Sequence, residues 1–258
     1  MRLGSARALL IDLDGVLYVE DEPIPGAKDA VAALRDQGLG LRFVTNTTAR
    51  SHRQTLERLE RLGFGVADEE LVTPAALARR RCEEAGHERV ALIMNEDVKR
   101  DFEGLTETDD GPGAVIMGDL GAAFGFEILN RAFRLVMDGA ELIALQKNRF
   151  WLTPDGLSLD AGPFVAAIEY ATGREALVVG KPSAAFFELI LADLGADPDE
   201  AAMVGDDVET DVGGAMRAGL GGILVRTGKY REDFVRASGI EPTATVDSVT
   251  EVPRLVTG

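Results

Sequence analysis

Two aspartates two positions apart, Asp12 and Asp14, follow the apolar run of residues 8–11. Such a run is typical of a strand buried on both faces of a parallel sheet. Ligands of open α/β sheets bind beyond the carboxyl ends of the strands, so this pair lies where chemistry is expected. Two buried carboxylates need a compensating cation, and Mg²⁺ commonly takes one or two carboxylates together with phosphate oxygens. The alternative is that Asp14-Gly15 is simply a hairpin turn, a common use of that dipeptide.

Two further apolar runs end in groups that could bind phosphate. Residues 41–44 precede Thr45 and Asn46, which carry a hydroxyl and an amide donor. Residues 176–179 precede Lys181, and the proline that follows it favours an extended backbone, so the ammonium is expected to project from a strand end. The structural alternatives are that Thr45 caps a helix and that Lys181 is solvated.

A fourth apolar run, residues 201–204, precedes Asp206 and Asp207, and Asp211 follows four positions later. These acids could also form the start of a helix, where negative charge is favoured by the helix dipole. The joint occurrence of carboxylates, donors and a lysine after four apolar runs favours a site for a phosphate and a dication.

The elements that must position these residues follow from the alternation of short apolar runs with segments of helical periodicity. This pattern predicts βαβ units and an α/β fold, a doubly wound, Rossmann-like parallel sheet. Residues 51–54 match a capping box that opens a helix through about Leu62. The central segment has apolar runs of its own, so we predict a core of residues 1–72 and 176–258 with an inserted α/β domain of residues 73–175.

Composition narrows the class of protein. The 258 residues carry 44 acidic and 27 basic side chains, a net charge of −17, which opposes binding to nucleic acid. Cys82 is the single cysteine, which excludes an internal disulfide and is compatible with a reducing compartment. Since no apolar stretch has the length of a bilayer-spanning helix, we expect a cytoplasmic protein without a membrane partner.

Two other features of the sequence could suggest a nucleotide-binding loop or a zinc site. The segment Thr227-Gly228-Lys229 is similar to part of a phosphate-binding loop, but it lacks the earlier glycine and the final Ser or Thr of a Walker A motif. His52 and His87 have no cysteine nearby, so zinc is not expected.

The four polar strand endings, in their order, resemble the four motifs of the haloacid dehalogenase superfamily. The matching segments are residues 12–15, 45–46, 180–182 and 205–211. The long interval between Thr45 and Lys181 resembles the type IIA members, which insert a large α/β cap between the second and third motifs.

The resemblance implies a Mg²⁺-dependent phosphatase that hydrolyses a phosphate ester, a phosphoamidate or pyrophosphate through an aspartyl-phosphate. Asp12 would be the nucleophile, and Asp14 would act first as general acid and then as general base. Asp12, Asp206 and the backbone carbonyl of Asp14 would hold Mg²⁺. An acid at position 14 also separates phosphatases from the dehalogenases of the superfamily.

The resemblance also implies a set of phosphate-binding residues, which are Asp12, Leu13, Asp14, Thr45, Asn46 and Lys181. Asp207 and Asp211 would orient Lys181 or a metal-bound water from a second layer around the site.

Substrate choice is expected in the cap, where residues 146–151 combine cations with aromatic side chains after a predicted strand. Lys147 and Arg149 are candidates for contact with an anionic leaving group. The alternative is a surface turn with Phe150 and Trp151 packed into the cap core.

The expected partners are a small phosphorylated substrate or a phosphorylated side chain, and a second copy bound through the cap, as in related proteins. Two other functions stay open at this point. The chain could be a catalytically silent binding or regulatory protein with this fold, or a phosphatase of nucleotides, pyridoxal phosphate or phosphoglycolate.

Overall fold

The computed structural model describes residues 3–153 and 156–256. These residues form two compact units. The first holds the chain up to Thr45, Thr55–Val72 and the chain from Lys181, and the second holds Asn46–Gln54 and Thr73–Gly180. The predicted roles of these parts, a catalytic core and an inserted cap with boundaries at 73 and 175, stay predictions.

The strands of the described residues are numbered in chain order. They are β1 Ala8–Asp12, β2 Tyr18–Val19, β3 Glu22–Pro23, β4 Gly40–Val44, β5 Leu71–Val72, β6 Arg89–Ile93, β7 Thr106–Glu107, β8 Ala114–Met117, β9 Glu141–Ala144, β10 Phe150–Thr153, β11 Gly156–Leu159, β12 Leu177–Val178, β13 Ala201–Gly205, β14 Gly221–Val225 and β15 Ala244–Val246.

The α-helices are numbered in the same way. They are α1 Ala27–Asp36, α2 His52–Arg61, α3 Pro74–Ala85, α4 Glu96–Lys99, α5 Phe126–Met137, α6 Gly162–Thr172, α7 Ala184–Leu194, α8 Gly214–Arg217, α9 Glu232–Ser238 and α10 Val252–Val256. A π-helical turn, Val208–Gly213, directly precedes α8.

The first unit is built on a six-stranded sheet in the order β15-β14-β13-β1-β4-β5, and all neighbouring strands are parallel. The chain places β4 and β5 on one side of β1 and later returns to place β13, β14 and β15 on the other. This order makes the sheet doubly wound, and its topological switch point lies between β1 and β13. Ile11 pairs with Val204, so the carboxyl ends of these two strands end side by side. This is the crevice where ligands of such sheets bind.

The strands of this sheet are apolar without alternation because both faces are covered. Leu9 and Ile11 of β1 are buried in one cluster with Leu34 of α1. On the other face, Leu224 of β14 packs against Val208 and Val212 of the π-helical turn. The predicted α/β class with parallel sheets is confirmed.

The second unit has its own five-stranded parallel sheet in the order β12-β9-β8-β6-β7. Helices α5 and α6 pack on it through Val136 and Val165, which lie in one buried cluster with Ile93 of β6. The third apolar run of the sequence forms β12 in this sheet, whereas the other three runs belong to the sheet of the first unit.

The start of α2 confirms the predicted capping box. The backbone amide of Gln54 donates to Ser51 Oγ across 3.3 Å, and the backbone amide of Ser51 donates to Gln54 Oε1 across 3.0 Å. These bonds satisfy two amides that the helix itself leaves unpaired. Among the described residues, no helix combines the length and the apolar composition needed to cross a bilayer.

Candidate active site

Asp12 ends β1, and a buried lysine from a distant part of the chain pairs with it. Lys181 Nζ lies 2.7 Å from Asp12 Oδ1 and 2.8 Å from Asp211 Oδ1. Lys181 is only 3% exposed, so the alternative of a solvated lysine is wrong. Since one ammonium serves two buried carboxylates, the contact fixes the orientation of both.

Three buried aspartates could hold a metal ion together. Carboxylate oxygens of Asp12, Asp206 and Asp211 lie within 4.8 Å of one another. Asp206 Oδ2 accepts a hydrogen bond from the backbone amide of Lys229 across 2.7 Å. Asp206 Oδ1 is buried without a hydrogen-bond partner among the described residues. A buried anionic oxygen without a donor is costly, so this oxygen fits a bound cation.

The electrostatics of these side chains reflect their burial. Burial raises the pKa of Asp206 to about 6, and the nearby carboxylate of Asp211 adds to the rise. Burial likewise raises the pKa of Asp211 to about 6 against the opposing ammonium of Lys181. Burial also raises the pKa of Asp12, and Lys181 again opposes the rise. For Lys181, burial disfavours the charge, but Asp12 and Asp211 outweigh it and raise the pKa of the ammonium. A dication would lower the carboxylate pKa values, because it stabilises their ionised forms.

Asp14 lies in a tight turn directly after β1. The backbone amide of Gly15 donates to the carbonyl of Tyr18 across 2.7 Å, and Gly15 has φ of 83°. The turn does not make β1 part of a hairpin, because the neighbours of β1 are β4 and β13. Tyr18 Oη lies 3.5 Å from Asp14 Oδ2, which is a long contact for a hydrogen bond. The acid–base role of Asp14 stays a prediction.

Three of the predicted phosphate-binding residues, Leu13, Thr45 and Asn46, follow the ends of strands β1 and β4. The side chain of Leu13 is fully buried in the core, so only its backbone could meet a phosphate. Thr45 follows β4 and is buried, and its backbone amide donates to the carbonyl of Val72. It does not cap a helix, because α2 begins at His52. Asn46 follows Thr45 in the chain and belongs to the second unit.

Asp207 and Asp211 differ in what they contact. Asp207 Oδ1 accepts from the backbone amides of Glu209 and Thr210 and so caps the π-helical turn, as the helix-start alternative predicts. Asp211 Oδ2 accepts from the backbone amide of Asp207 across 3.2 Å, while its Oδ1 faces Lys181. Asp211 therefore helps to orient Lys181, and Asp207 caps the π-helical turn in which Asp211 lies.

The segment Thr227-Gly228-Lys229, set aside in the sequence because its Walker A motif is incomplete, follows β14 and lies against the site. A Cβ at Gly228 would lie 2.0 Å from Asp206 Oδ2, and one at Gly15 would lie 1.9 Å from the same oxygen. Thr227 Oγ1 donates a short hydrogen bond to the carbonyl of Gly15. The signal available in the sequence was a Gly-Lys pair shortly after a fifth apolar run, residues 221–225, whose carboxyl end lies at the same edge of the sheet.

The cap candidates Lys147 and Arg149 lie in the loop between β9 and β10. Lys147 Nζ pairs with Glu169 Oε2 at 2.5 Å, and the guanidinium of Arg149 lies 5.6 Å from the centre of the Phe150 ring. The predicted loop is shorter than expected, because Phe150 already begins β10. Phe150 is 51% exposed and so is not a core residue, whereas the side chain of Trp151 lies outside the described residues. The specificity roles of Lys147 and Arg149 stay predictions.

Known proteins are similar to this chain in sequence and in fold. Residues 9–106 match the family model of the haloacid dehalogenase-like hydrolases, and residues 178–252 match a second model of HAD-hydrolase-like proteins. The haloacid dehalogenase-like hydrolase domain-containing protein 2 of Homo sapiens is 45% identical over 95% of this chain and 93% of its own length. The human phospholysine phosphohistidine inorganic pyrophosphate phosphatase is 36% identical over 99% of this chain and 96% of its own length.

Among solved structures, the 4-nitrophenylphosphatase of Thermotoga maritima superposes with a TM-score of 0.88 at 27% identity, covering 99% of both chains. The matches extend over nearly the whole chain and include each segment that supplies the aspartates and lysine of the site. The chain therefore belongs to the haloacid dehalogenase-like hydrolases, as an enzyme of their phosphatase group.

Proposed function

We propose that this chain is a Mg²⁺-dependent phosphatase that hydrolyses a phosphate ester, a phosphoamidate or pyrophosphate through an aspartyl-phosphate on Asp12. One observation carries the proposal. Asp12 ends β1 at the switch point of the sheet, with Lys181 Nζ 2.7 Å away and the unpartnered oxygen of Asp206 within the same cluster. This arrangement offers an oriented nucleophile, a cation for the phosphoryl group and a place for a dication.

In the first half-reaction, a carboxylate oxygen of Asp12 attacks phosphorus in line with the leaving oxygen. The new bond joins Asp12 to phosphorus, the bond from phosphorus to the leaving oxygen breaks, and the carboxyl group of Asp14 gives that oxygen a proton. Asp14 is then a carboxylate. Lys181 holds Asp12 in one rotamer throughout, so the attacking oxygen does not have to be reoriented.

In the second half-reaction, Asp14 takes a proton from a water molecule as its oxygen attacks phosphorus. The bond between phosphorus and Asp12 breaks, inorganic phosphate leaves, and both aspartates return to their starting forms. Thr45, the backbone of Leu13 and Asn46, and Lys181 are the proposed donors that hold the phosphoryl oxygens during both steps.

Asp12, Asp206 and the backbone carbonyl of Asp14 are the proposed ligands of Mg²⁺. When bound, the ion would neutralise the repulsion between the carboxylate nucleophile and the phosphate and stabilise charge on the phosphoryl oxygens. Asp211 is not included among the proposed ligands, because its Oδ1 forms an ion pair with Lys181 at 2.8 Å and its Oδ2 accepts from the backbone amide of Asp207.

The proposed substrates are small phosphorylated molecules or phosphorylated side chains. The names of two relatives support this range, since one includes phospholysine, phosphohistidine and inorganic pyrophosphate and the other 4-nitrophenyl phosphate. We further propose that the enzyme acts in the cytoplasm, that the second unit is a cap that selects the substrate, and that it pairs two copies in a homodimer. The silent binding protein is disfavoured, because each predicted chemical position carries a residue type that the reaction needs.

The test is hydrolysis of 4-nitrophenyl phosphate with Mg²⁺, with and without a chelator. We expect turnover that needs the metal and that falls by at least about a thousandfold in Asp12→Asn, because the nucleophile is lost. Asp36→Asn, which neutralises an exposed aspartate at the end of α1, is the matched control and should keep its activity. Acid quenching followed by mass spectrometry should find a phosphoryl group on Asp12. Turnover that persists in Asp12→Asn, or in excess chelator, would contradict the mechanism.

A further inference from the structure

Lys181, the buried cation of the site, already forms ion pairs with two carboxylates. Lys181 shares its single charge between Asp12 and Asp211, and the chain as a whole carries −17. A substrate whose leaving group is itself an anion would bring further negative charge to this place. The proposed Mg²⁺ would act on the transferred phosphoryl group, so an anion on the leaving group calls for a further cation nearby.

Lys229 occupies such a position, and its backbone is held there by contacts. Its amide donates to Asp206 Oδ2 across 2.7 Å. The preceding Gly228 approaches Gly15 so closely that a Cβ at Gly228 would lie 2.5 Å from Gly15 Cα. Thr227 Oγ1 bonds to the carbonyl of Gly15. The segment is thus fixed both to a proposed metal ligand and to the turn that follows the nucleophile.

The ammonium of Lys229 has no direct carboxylate partner among residues 3–153 and 156–256, which distinguishes it from Lys181. A lysine side chain is ordinarily charged at neutral pH, and Lys229 is exposed, so its ammonium is open to contact with an external anion.

A cavity of about 230 Å³ is lined by Asp206, Lys229, Arg231 and Phe234 among other residues. Arg231 is paired with Asp233 at 2.8 Å and lies over the Phe234 ring at 4.8 Å. Three acids, Asp206, Asp207 and Glu209, lie on the cavity wall, and none of them forms an ion pair with Lys229 in the part of the chain that the structure describes. Asp207 accepts two backbone hydrogen bonds, and Glu209 is exposed to water. The cavity can hold a small leaving group and presents it with one unpaired ammonium.

We propose that Lys229 binds a second anionic group of the substrate, on the leaving-group side of the scissile bond. The enzyme then prefers phosphoryl donors whose leaving group carries a phosphoryl group or a carboxylate over donors whose leaving group is neutral. This inference rests on the proposed phosphatase function and assigns part of its substrate choice to the first unit.

The experiment measures binding without turnover, by isothermal titration calorimetry of the full chain with Mg²⁺ and three non-hydrolysable probes. Methylenediphosphonate carries a second phosphoryl group, phosphonoacetate carries a carboxylate, and methylphosphonate carries no second anion. Lys229→Gln removes a charged hydrogen bond to the second anion. We therefore expect it to weaken the binding of methylenediphosphonate, of phosphonoacetate or of both about tenfold more than the binding of methylphosphonate. The probe that is affected identifies the anion, and Lys229→Arg should restore most of its binding.

The matched control is Arg226→Gln, which removes the same charge from the residue directly before the Thr227–Lys229 segment. Arg226 pairs with the exposed Asp247, so we expect it to change the three dissociation constants by one small common factor. If Lys229→Gln also changes all three by a common factor, the lysine acts only as a general counter-charge and the inference is wrong. If the unaltered protein binds none of the probes and has no phosphatase activity, the proposed function itself is wrong. That result differs from failure of the inference alone, in which the unaltered protein is an active phosphatase and Lys229→Gln weakens all three probes equally.

Discussion

Lys181 Nζ lies 2.7 Å from Asp12 Oδ1, although 169 positions separate the two residues in the chain. Both side chains are buried, and Asp211 completes the group from the other side of the ammonium. A buried ion pair of this kind is not mainly a source of stability, because desolvation of the charges offsets their attraction. Its effect here is to fix the direction of the nucleophile.

Removal of Lys181 alone should nevertheless destabilise the protein, because the two buried carboxylates would stay behind without a counter-charge. We expect Lys181→Met to lower the free energy of unfolding by about 3 kcal/mol or more at pH 8, since it leaves two buried carboxylates without their cation. Urea unfolding in the presence of a chelator measures the change. Lys28→Met, which alters an exposed lysine of α1, should shift it by less than about 0.5 kcal/mol. Equal effects of the two substitutions would mean that the buried pair is not formed.

Neutralisation of Asp206 should separate stability from metal binding. Because Asp206 Oδ1 is a buried anionic oxygen without a donor, Asp206→Asn should raise the stability of the metal-free protein by about 1 kcal/mol. The same substitution should abolish the rise in melting temperature that Mg²⁺ produces in the unaltered protein. Differential scanning calorimetry with and without Mg²⁺ tests both parts, and a full metal response in Asp206→Asn would exclude this residue as a ligand.

The raised pKa values of Asp206 and Asp211 set a pH dependence with a definite sign. Both shift from 3.8 to about 6 on folding, so the folded protein binds these protons more tightly than the unfolded chain. Their contribution to stability is complete below pH 3.8 and is lost as the pH rises through about 6. In chelator, the free energy of unfolding should fall between pH 5 and pH 7 by more in the unaltered protein than in Asp206→Asn.

The response to Mg²⁺ should have the opposite pH dependence, because the metal competes with protons for the same carboxylates. We expect the rise in melting temperature at a fixed Mg²⁺ concentration to be larger at pH 7.5 than at pH 5. A response that is independent of pH would show that the ion binds elsewhere.

Two glycines with similar backbones provide a test of the contact between the Thr227–Lys229 segment and Asp206. Gly228 has φ of 61° and Gly239 has φ of 66°, so alanine strains both to a similar extent, about 1 kcal/mol. Only at Gly228 would the new Cβ meet Asp206 Oδ2, at 2.0 Å, whereas nothing lies within 4 Å at Gly239. Gly228→Ala should weaken Mg²⁺ binding at least about tenfold, measured by calorimetric titration, since it displaces a ligand. Gly239→Ala should bind the metal normally.

The amino-acid sequence alone determined the chemistry and the class of fold. Uninterrupted apolar runs predict strands covered on both faces, and these require a parallel sheet with helices on either side. Because the polar residues come directly after such runs, Asp12, Thr45 and Asp206 had to lie at the carboxyl edge of the sheet. The capping box at Ser51 was equally predictable, since its two hydrogen bonds join residues three positions apart.

Only the tertiary structure decided which of these residues meet. The order of strands placed β13 beside β1, and this brought Asp206 and Asp211 to Asp12. The tertiary structure also showed that Asp207 caps the π-helical turn while Asp211 pairs with Lys181. The four-residue spacing between these two aspartates does not reveal that difference. The segment around Lys229 escaped prediction because its role comes from the close approach of Gly228 to Gly15, across 212 positions between Thr227 and Gly15. Periodicity and capping are local properties of the chain, whereas strand order and the approach of two loops arise from packing among distant segments.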